Sequence, residues 1–502
     1  MHRGAASDCR QDSRESSIDG SRNHPVLHAS PPAVTTVNSL MTEPASSAPP
    51  ERKPLKARML RAGSWTVFAY GCTLVLRLVS SLIMTRLLAP EAFGLIAIVV
   101  TIGMVATLLS DIGIRQAVVH SDRGDDPLML DTAWTMQIVR GVLIWTVCCV
   151  IAAALYFGGQ AGWLAPGSVY ASPQLPLLLA LGTVHTMVIG FETTKRFTAD
   201  RRIEQKRVVL IELVCMFIGI VATISFGWVT RSVWAIVFGG LIGAVCSVSA
   251  GHLLLHGHSN RLAWDRELAR RIVGFGKWIL ASSLLYVLAI NSDKLLLGVW
   301  VAPAVLGCYV IGQNLAQILE LAVGRVFTQV ASPAFADVMR TDPQRMREVY
   351  LRMRLPFDVL FIAGAGFMFA IGPWLVGLMY DPRYAEAGAI LQILSFVLLF
   401  ARYGVSTSAY LALQAPHAQA LMNLVRVVAF FAVVPLSYRL FGVQGVYWAI
   451  ALHPLATAPV VWWFDRKFAI GSWRHELLPL AVWPIGWVLG TVVVMSARWL
   501  LA

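Results

Sequence analysis

Charged residues are scarce in this chain of 502 residues, of which Asp, Glu, Lys and Arg make up only 14%. Soluble globular domains contain about 25% charged residues, so this composition excludes an ordinary soluble enzyme and a wholly disordered chain. The seven cysteines form no CxxC pair, and six of them lie in apolar runs. We therefore expect neither a disulfide framework nor a cysteine-ligated metal site.

Hydrophobic residues are abundant, at 57% of the chain, and they fall into many long runs. Runs of about 20 residues cross the ~30 Å hydrocarbon layer of a membrane as helices. The sequence therefore predicts a polytopic, all-α integral membrane protein. We expect thirteen spans, near residues 63–88, 92–110, 133–157, 174–191, 208–227, 232–255, 276–299, 304–328, 356–380, 388–413, 419–440, 444–464 and 477–500.

The N-terminal residues 1–57 differ from the rest because they are rich in Ser, Pro and Ala. We predict a disordered tail, which is not a signal peptide because it contains no apolar central region. The net charge of +13 comes from Lys and Arg that are concentrated in alternate loops. This positive-inside bias predicts a cytoplasmic N-terminus and gives no reason to expect a nucleic-acid partner.

An internal repeat relates the two halves of the apolar region. Pro90 and Gly94 recur as Pro303 and Gly307 at an offset of 213, and Trp234 recurs at an offset of 214. We predict two six-helix lobes, at 58–255 and 276–465, related by a pseudo-two-fold axis along the membrane normal. A cytoplasmic linker at 256–275 joins them, and residues 466–502 form an extra transmembrane segment. Two such lobes describe a transporter that works by alternating access.

Polar side chains interrupt the apolar spans in two matching stripes. Span one carries Tyr70, Thr73, Arg77 and Ser80 on one helix face. The positions 213 residues later, in span seven, are Ser283, Tyr286, Ile290 and Asp293, with Asn291 and Lys294 beside them. A charge in hydrocarbon costs roughly 2.5–3.5 kcal/mol, so these groups must face protein or water. We therefore predict that spans one and seven line a shared hydrated cavity.

Other spans add polar groups to this set. Span eight carries Gln313, Gln317 and Glu320, span ten carries Arg402, and span three carries Arg140. Because deep cations outnumber deep carboxylates, we predict an anionic ligand, and guanidinium groups suit phosphate. The predicted substrate-binding cations are Arg77, Lys294, Arg402 and Arg140. The candidate ion-coupling residues are Asp293 and Glu320.

Structural alternatives exist for several of these residues. In the structural interpretation, the adjacent residues Asp293 and Lys294 form an internal ion pair. Glu320 and Arg325 form a second such pair. Arg140 and Arg402 can instead extend toward the lipid head groups, as long basic side chains do.

Motifs of the common enzyme classes are missing. The chain contains no GxSxG, HExxH or phosphate-binding loop, and the outside loop 158–173 contains no carboxylate, His, Lys or Arg. We therefore predict that the protein is not an enzyme and has no catalytic residue, resident metal or cofactor.

Several segments resemble a known family. They include TRLLAPEAFGLIAI at Thr85–Ile98, NSDKLLLG at Asn291–Gly298 and the stretch Pro373–Leu394. Together they resemble the Wzx-like oligosaccharide flippases of the polysaccharide transporter family, within the MATE/MOP superfamily. The sequence is most similar to the exopolysaccharide flippases of the colanic-acid and xanthan kind.

This resemblance implies a flippase that moves undecaprenyl-pyrophosphate-linked oligosaccharide repeat units from the cytoplasmic to the periplasmic leaflet. It implies a bacterial inner membrane, a functional link to a polysaccharide polymerase and glycosyltransferases, and roles for Arg77 and Lys294 on the first and seventh helices. Members of the group differ in which ion, if any, drives transport, so the resemblance leaves Na⁺, H⁺ and the absence of a coupling ion open.

Two other functions are weighed against the flippase. A MATE-like exporter of small molecules or drugs shares the fold, but we expect its cavity to be rich in acidic residues. A membrane glycosyltransferase or polymerase needs paired carboxylates or an Arg-rich outside loop, and the sequence has neither.

Overall fold

The structure is a computed structural model that describes residues 55–202 and 205–501. Side chains within these ranges are described except at 55–69, 205, 275–290, 322–323, 325–330 and 501. The predicted tail at 1–57 thus lies almost wholly outside the described residues, and so do the side chains of Ser283, Tyr286 and Arg325. The described ranges contain helices and no strand.

The first half of the described chain forms helices α1 to α9. Their bounds are α1 Leu55–Leu87, α2 Pro90–Leu109, α3 Ile114–His120, α4 Pro127–Gln160, α5 Leu175–Gly182, α6 Val184–Gly190, α7 Lys195–Arg202, α8 Gln205–Thr230 and α9 Trp234–Leu254. Both α2 and α4 begin with proline, whose missing N–H breaks no intrahelical bond at that position.

The second half forms helices α10 to α19. Their bounds are α10 Arg266–Trp300, α11 Pro303–Thr341, α12 Met346–Met379, α13 Glu386–Leu394, α14 Leu398–Ala401, α15 Tyr403–Ala412, α16 Pro416–Leu452, α17 Ala458–Lys467, α18 Trp473–Leu477 and α19 Trp483–Leu501. The side chain of Asp265 caps α10 by accepting hydrogen bonds from the backbone N–H groups of Glu267 and Leu268, both at 2.9 Å.

Ten helices of the described part are long and apolar enough to cross a membrane, or eleven if the bent pair Leu175–Gly190 and Lys195–Arg202 is one span. The range Pro416–Lys467 covers predicted spans eleven and twelve together. The chain breaks there at Gly442, whose φ of 62° and ψ of −151° favour glycine. Predicted span seven lies in α10, which is not among the ten. The all-α membrane fold is confirmed.

The two halves meet where α1 ends and α2 begins, which we call the junction end. There α2 packs against both α10 and α11. Tyr384 donates a hydrogen bond to the carbonyl oxygen of Leu88 at 2.8 Å, and Tyr170 donates to that of Leu295 at 3.0 Å. Burial raises the pKa of the Tyr170 phenol to about 12, so this group remains a donor at neutral pH. The halves are therefore bonded to each other at the junction end.

The predicted linker at 256–275 is bound to the first lobe. The carboxylate of Asp131 on α4 contacts the His258 ring at 2.8 Å and accepts the Arg261 backbone N–H at 2.9 Å. Farther along, Leu268, Ala269 and Ile272 of α10 are buried in an apolar cluster with α3 and α4. The first turns of α10 thus pack on the first lobe.

The C-terminal segment packs along α12. A β-carbon at Gly486 would come within 2.0 Å of the Ala363 carbonyl oxygen, and one at Gly366 within 2.2 Å of that of Trp483. Small residues allow membrane helices to approach this closely. The predicted extra segment is therefore a packed part of the second lobe.

Candidate functional site

A polar cavity of about 320 Å³ lies inside the second lobe, between α10, α11, α13 and α16. We call it the inner cavity. The structure brings four predicted site residues to its wall, and it adds two residues from predicted spans eleven and twelve. These six polar residues are Asp293, Gln313, Gln317, Glu320, Arg426 and His453.

Asp293 is the most enclosed carboxylate of the inner cavity, with 6% of the residue exposed. Its Oδ2 accepts hydrogen bonds from the Tyr309 hydroxyl, at 2.6 Å, and from the Gln313 amide. Its Oδ1 and the Gln313 Oε1 have no hydrogen-bond partner among the described residues. One of these is a carboxylate oxygen and the other an amide oxygen, and oxygen ligands of these two kinds favour a hard cation.

Lys294 and Asn291 flank Asp293 on α10. The Lys294 ammonium lies 4.0 Å from Asp293 Oδ1, and 16% of its side chain is exposed. This contact is at the outer limit of an ion pair, so the predicted internal pairing is weak. Asn291 is buried, and its Nδ2 has no hydrogen-bond partner among the described residues.

Glu320, Arg426 and His453 form the opposite wall. The Arg426 guanidinium acts electrostatically on Glu320, and its Nε lies 3.4 Å from His453 Nε2. The other ring nitrogen of His453 lies 2.8 Å from the Ile450 carbonyl oxygen. His453 therefore accepts from Arg426 and donates to Ile450, which fixes it as a neutral ring.

The low charge of this donor set limits the ion it can hold. Within the described part of the chain, no three His, Cys, Asp or Glu side chains are grouped to hold a metal ion. A site made from one carboxylate and neutral amide oxygens suits a monovalent cation better than a tightly bound divalent one.

Arg77 lies on α1, away from this cavity. It is exposed near the middle of predicted span one, and it has no hydrogen-bond or ion-pair partner among the described residues. Tyr70 and Thr73 on the same helix are half-buried. The structure does not bring Arg77 into contact with Lys294, so the cavity predicted between spans one and seven stays a prediction.

Arg140 lies elsewhere, on α4, and its predicted role in substrate binding stays a prediction. Its guanidinium donates to the Thr107 carbonyl oxygen at 2.7 Å and to the Ser110 hydroxyl at 3.1 Å, and lies 3.6 Å from Asp111. These groups belong to the C-terminal end of α2, where backbone carbonyls lack helical partners. Arg140 thus caps a neighbouring helix.

Arg402 is also placed differently from the prediction. It is 4% exposed, and its guanidinium contacts the Glu476 carboxylate at 3.0 Å and Asp358 at 3.5 Å. It does not line the inner cavity. Its guanidinium is paired inside the protein and does not extend to the lipid head groups, and its predicted role in holding phosphate stays a prediction.

Arg402 belongs to a buried ionic cluster that the sequence interpretation missed. Arg354, only 1% exposed, contacts Glu476, Asp358 at 3.2 Å and Asp465 at 2.9 Å. The sequence assigns Arg354 to a basic loop as an orientation signal. The four-residue spacing of Arg354 and Asp358 was the available indication of a helical ion pair.

The chain was compared with known proteins. The model of a family described as polysaccharide biosynthesis protein matches residues 83–387. Lipopolysaccharide biosynthesis protein WzxC of Escherichia coli strain K12 is 21% identical over 456 residues, which are 88% of this chain and 89% of the relative. Teichuronic acid biosynthesis protein TuaB of Bacillus subtilis strain 168 is 19% identical, over 68% of each chain.

Two solved structures share the fold. The inward closed conformation of the lipid II flippase MurJ has a TM-score of 0.60 at 9% identity, over 88% of this chain and 99% of the other. An inward-facing multidrug resistance transporter of the MATE family has a TM-score of 0.59 at 13% identity, over 79% and 94%. The predicted MATE/MOP-like fold is confirmed. Since the family match covers more than half of its residues, the chain belongs to the polysaccharide biosynthesis protein family.

Proposed function

We propose that the protein is a flippase for undecaprenyl-pyrophosphate-linked oligosaccharide repeat units of a surface or exopolysaccharide. It moves the head group from the cytoplasmic to the periplasmic leaflet of the bacterial inner membrane by alternating access. Family membership supports this proposal, as do relatives named for lipopolysaccharide and teichuronic acid biosynthesis and a fold shared with a lipid II flippase. No bond is made or broken, so the protein is not an enzyme.

The exposure of Arg77 within a membrane span is the observation that supports the proposed substrate class. An exposed guanidinium in the middle of a membrane span is stable only against water or an anion. A pyrophosphate supplies that anion, since its oxygens accept paired hydrogen bonds from a guanidinium. Lys294, partly exposed beside Asp293, is a second candidate cation for the same head group.

The distribution of charge supports an orientation. Lys and Arg are concentrated in the loops at the end opposite the junction end, so the positive-inside rule places that end, and the N-terminus, in the cytoplasm. The junction end, which is bonded across the lobes, then faces the periplasm. In the cell the substrate comes from glycosyltransferases and passes to a polysaccharide polymerase.

The inner cavity supports coupling to a cation. Asp293 and Gln313 line it, each with a side-chain oxygen that accepts no hydrogen bond within the described residues, and Glu320 adds a second carboxylate. A cation that binds this site with different affinity in the two states of the lobes shifts the balance between them. We propose that Asp293 is the binding carboxylate and that Na⁺ is the ion.

The substrate assignment is tested by Arg77→Ala in cells that lack the chromosomal gene. Loss of a charge-assisted hydrogen bond removes about 1.5–3 kcal/mol, so export falls by about tenfold or more. The readouts are surface polysaccharide and the lipid-linked oligosaccharide that accumulates inside. Arg77→Lys retains part of the activity, and Arg86→Ala, at the end of the same helix, is the control. Normal export by Arg77→Ala at normal protein level would remove Arg77 from the site.

One observation favours a second candidate, a MATE-like exporter of small cationic molecules. The inner cavity has two carboxylates, Asp293 and Glu320, against a single arginine. An exporter of this kind protects cells from cationic drugs and leaves lipid-linked oligosaccharide levels unchanged when it is deleted. The accumulation assay above therefore distinguishes the two functions.

A further inference from the structure

A second polar cavity of about 230 Å³ adjoins the inner one. We call it the outer cavity. Glu320, Val397 and Arg426 line both cavities, so these residues form the wall between them. The outer cavity adds the polar side chains of Thr407, Asn423 and Thr457, whereas Asp293 lines the inner cavity only.

Relative to the inner cavity, the outer cavity is shifted in the same direction along each element that lines both cavities. Along α13 to α15, the inner cavity is lined at 394–398 and the outer one at 397–407. Along α16, the inner cavity is lined at 426–430 and the outer one at 422–426. Both shifts point away from Tyr384, which precedes α13 and bonds to Leu88 at the junction end. The outer cavity thus extends from Asp293 toward the end that carries the basic loops.

The wall between the cavities carries opposite charges. Glu320 attracts a cation from either side, and Arg426 repels it. Arg426 is held by its contact with His453 at 3.4 Å, and His453 is in turn bonded to the Ile450 carbonyl at 2.8 Å. The guanidinium is therefore a fixed positive charge in the wall between the two cavities.

We propose that the cation bound at Asp293 is exchanged through the outer cavity, with Glu320 as its intermediate contact and Arg426 as the electrostatic barrier. This inference rests on the cation coupling proposed above. The route connects Asp293 to the basic-loop side. In this state of the lobes the cation is therefore exchanged on the side where the substrate head group is taken up.

A cysteine in the inner cavity tests the route. Gln317 lines the inner cavity only, and we place Gln317→Cys in a chain whose seven native cysteines are replaced by alanine. A small cationic methanethiosulfonate reagent is added to inverted membrane vesicles, which expose the basic-loop side. We expect modification, slowed several-fold by Na⁺ relative to choline, with no slowing in the Asp293→Asn variant.

A plug in the outer cavity separates this route from any other. Gly404 lines the outer cavity and has no atom within 4 Å of a built β-carbon, so a large side chain has room there. We expect Gly404→Trp to reduce modification of Gln317→Cys by tenfold or more. Gly377→Trp, at an equally open position on α12 that lines neither cavity, is the matched control and leaves the rate unchanged.

The outcomes are distinct. Equal modification with and without Trp at position 404 overturns the route, as does failure to modify Gln317→Cys in any background. If Na⁺ does not slow the modification, or if only protons slow it, then Na⁺ is not the ion of the proposed function. A block of modification by Gly404→Trp still supports the route in that case. Arg426→Gln and Glu320→Gln provide an independent readout. Loss of the Arg426 barrier speeds modification of Gln317→Cys, whereas loss of the Glu320 contact slows it.

Discussion

Gly94 lies so close to Pro303 that a β-carbon built on it would come within 2.0 Å of the Pro303 carbonyl oxygen. The contact is reciprocal, because a β-carbon on Gly307 would come within 2.0 Å of the carbonyl oxygen of Pro90. The two copies of the repeated Pro-x-x-x-Gly segment therefore pack against each other across the lobes. Such an exchange of partners is what a two-fold axis between the lobes produces.

The reciprocal contact predicts that Gly94→Ala disturbs closure at the junction end. The clash is with backbone, which cannot rotate away, and overpacking of this kind costs about 1–3 kcal/mol. We expect export to fall by about tenfold and a cysteine pair across the junction to cross-link less often. Gly240→Ala, where a β-carbon meets nothing within 4 Å, is the control. Undiminished export and cross-linking in Gly94→Ala would contradict the assignment.

The buried ionic cluster predicts a large loss of stability for Glu476→Gln. Removing this carboxylate leaves Arg354 and Arg402 short of a partner, and breaking a buried pair costs about 3–5 kcal/mol. We expect a marked drop in the thermal midpoint of the purified protein in detergent. Glu348→Gln is the control, because its exposed pairs are worth about 1 kcal/mol or less. Similar midpoints for both variants would show that the cluster does not hold the C-terminal segment.

The inner cavity predicts that Asp293→Asn abolishes the Na⁺ dependence of transport. The substitution keeps the size of the side chain and removes the charge that binds the ion. Tyr309→Phe removes one hydrogen bond to Asp293 and keeps the carboxylate, so its Na⁺ dependence is retained. The measurement is Na⁺-induced change in tryptophan fluorescence of the purified protein, alongside export. An unchanged Na⁺ response in Asp293→Asn would place the ion elsewhere.

The bound linker predicts that Asp131→Ala releases residues 258–261 from the first lobe. The variant loses the contacts to His258 and to the Arg261 backbone, and each lost hydrogen bond is worth about 0.5–1.5 kcal/mol. Faster cleavage within the linker by an added protease measures the release. Asp122→Ala, at an exposed position of the neighbouring loop, leaves cleavage unchanged. Equal cleavage of both variants would show that Asp131 does not fix the linker.

The sequence predicted the spans and their breaks well, because long apolar runs and helix-breaking residues act locally. Gly442 falls between predicted spans eleven and twelve, and the Pro90 and Pro303 segments begin helices as expected. Helical spacing also grouped Gln313, Gln317 and Glu320 on one face of α11, and all three line the inner cavity.

The partners of the arginines could not be predicted in the same way. Periodicity shows which residues share a helix face, but it does not show which neighbouring helix that face meets. Arg140 and Arg402 were therefore read as ligands for an outside anion, although one caps α2 and the other contacts Glu476, 74 residues away in sequence. For the same reason, the sequence did not show that Arg426 and His453 line one cavity together with Glu320, since that arrangement depends on the packing of separate helices.

Helix α10 has its first turns in the apolar cluster of the first lobe, whereas Asp293, near its other end, bonds to Tyr309 and Gln313 of the second. In the alternating access proposed above, the two lobes rotate relative to each other, and a helix anchored in both then changes its curvature. The carboxylate proposed to bind the ion thus lies on the element that this movement deforms. The affinity of Asp293 for the ion and the curvature of α10 are then coupled to the same equilibrium. A substitution that stiffens α10 therefore alters the ion affinity without changing any ligand of the ion.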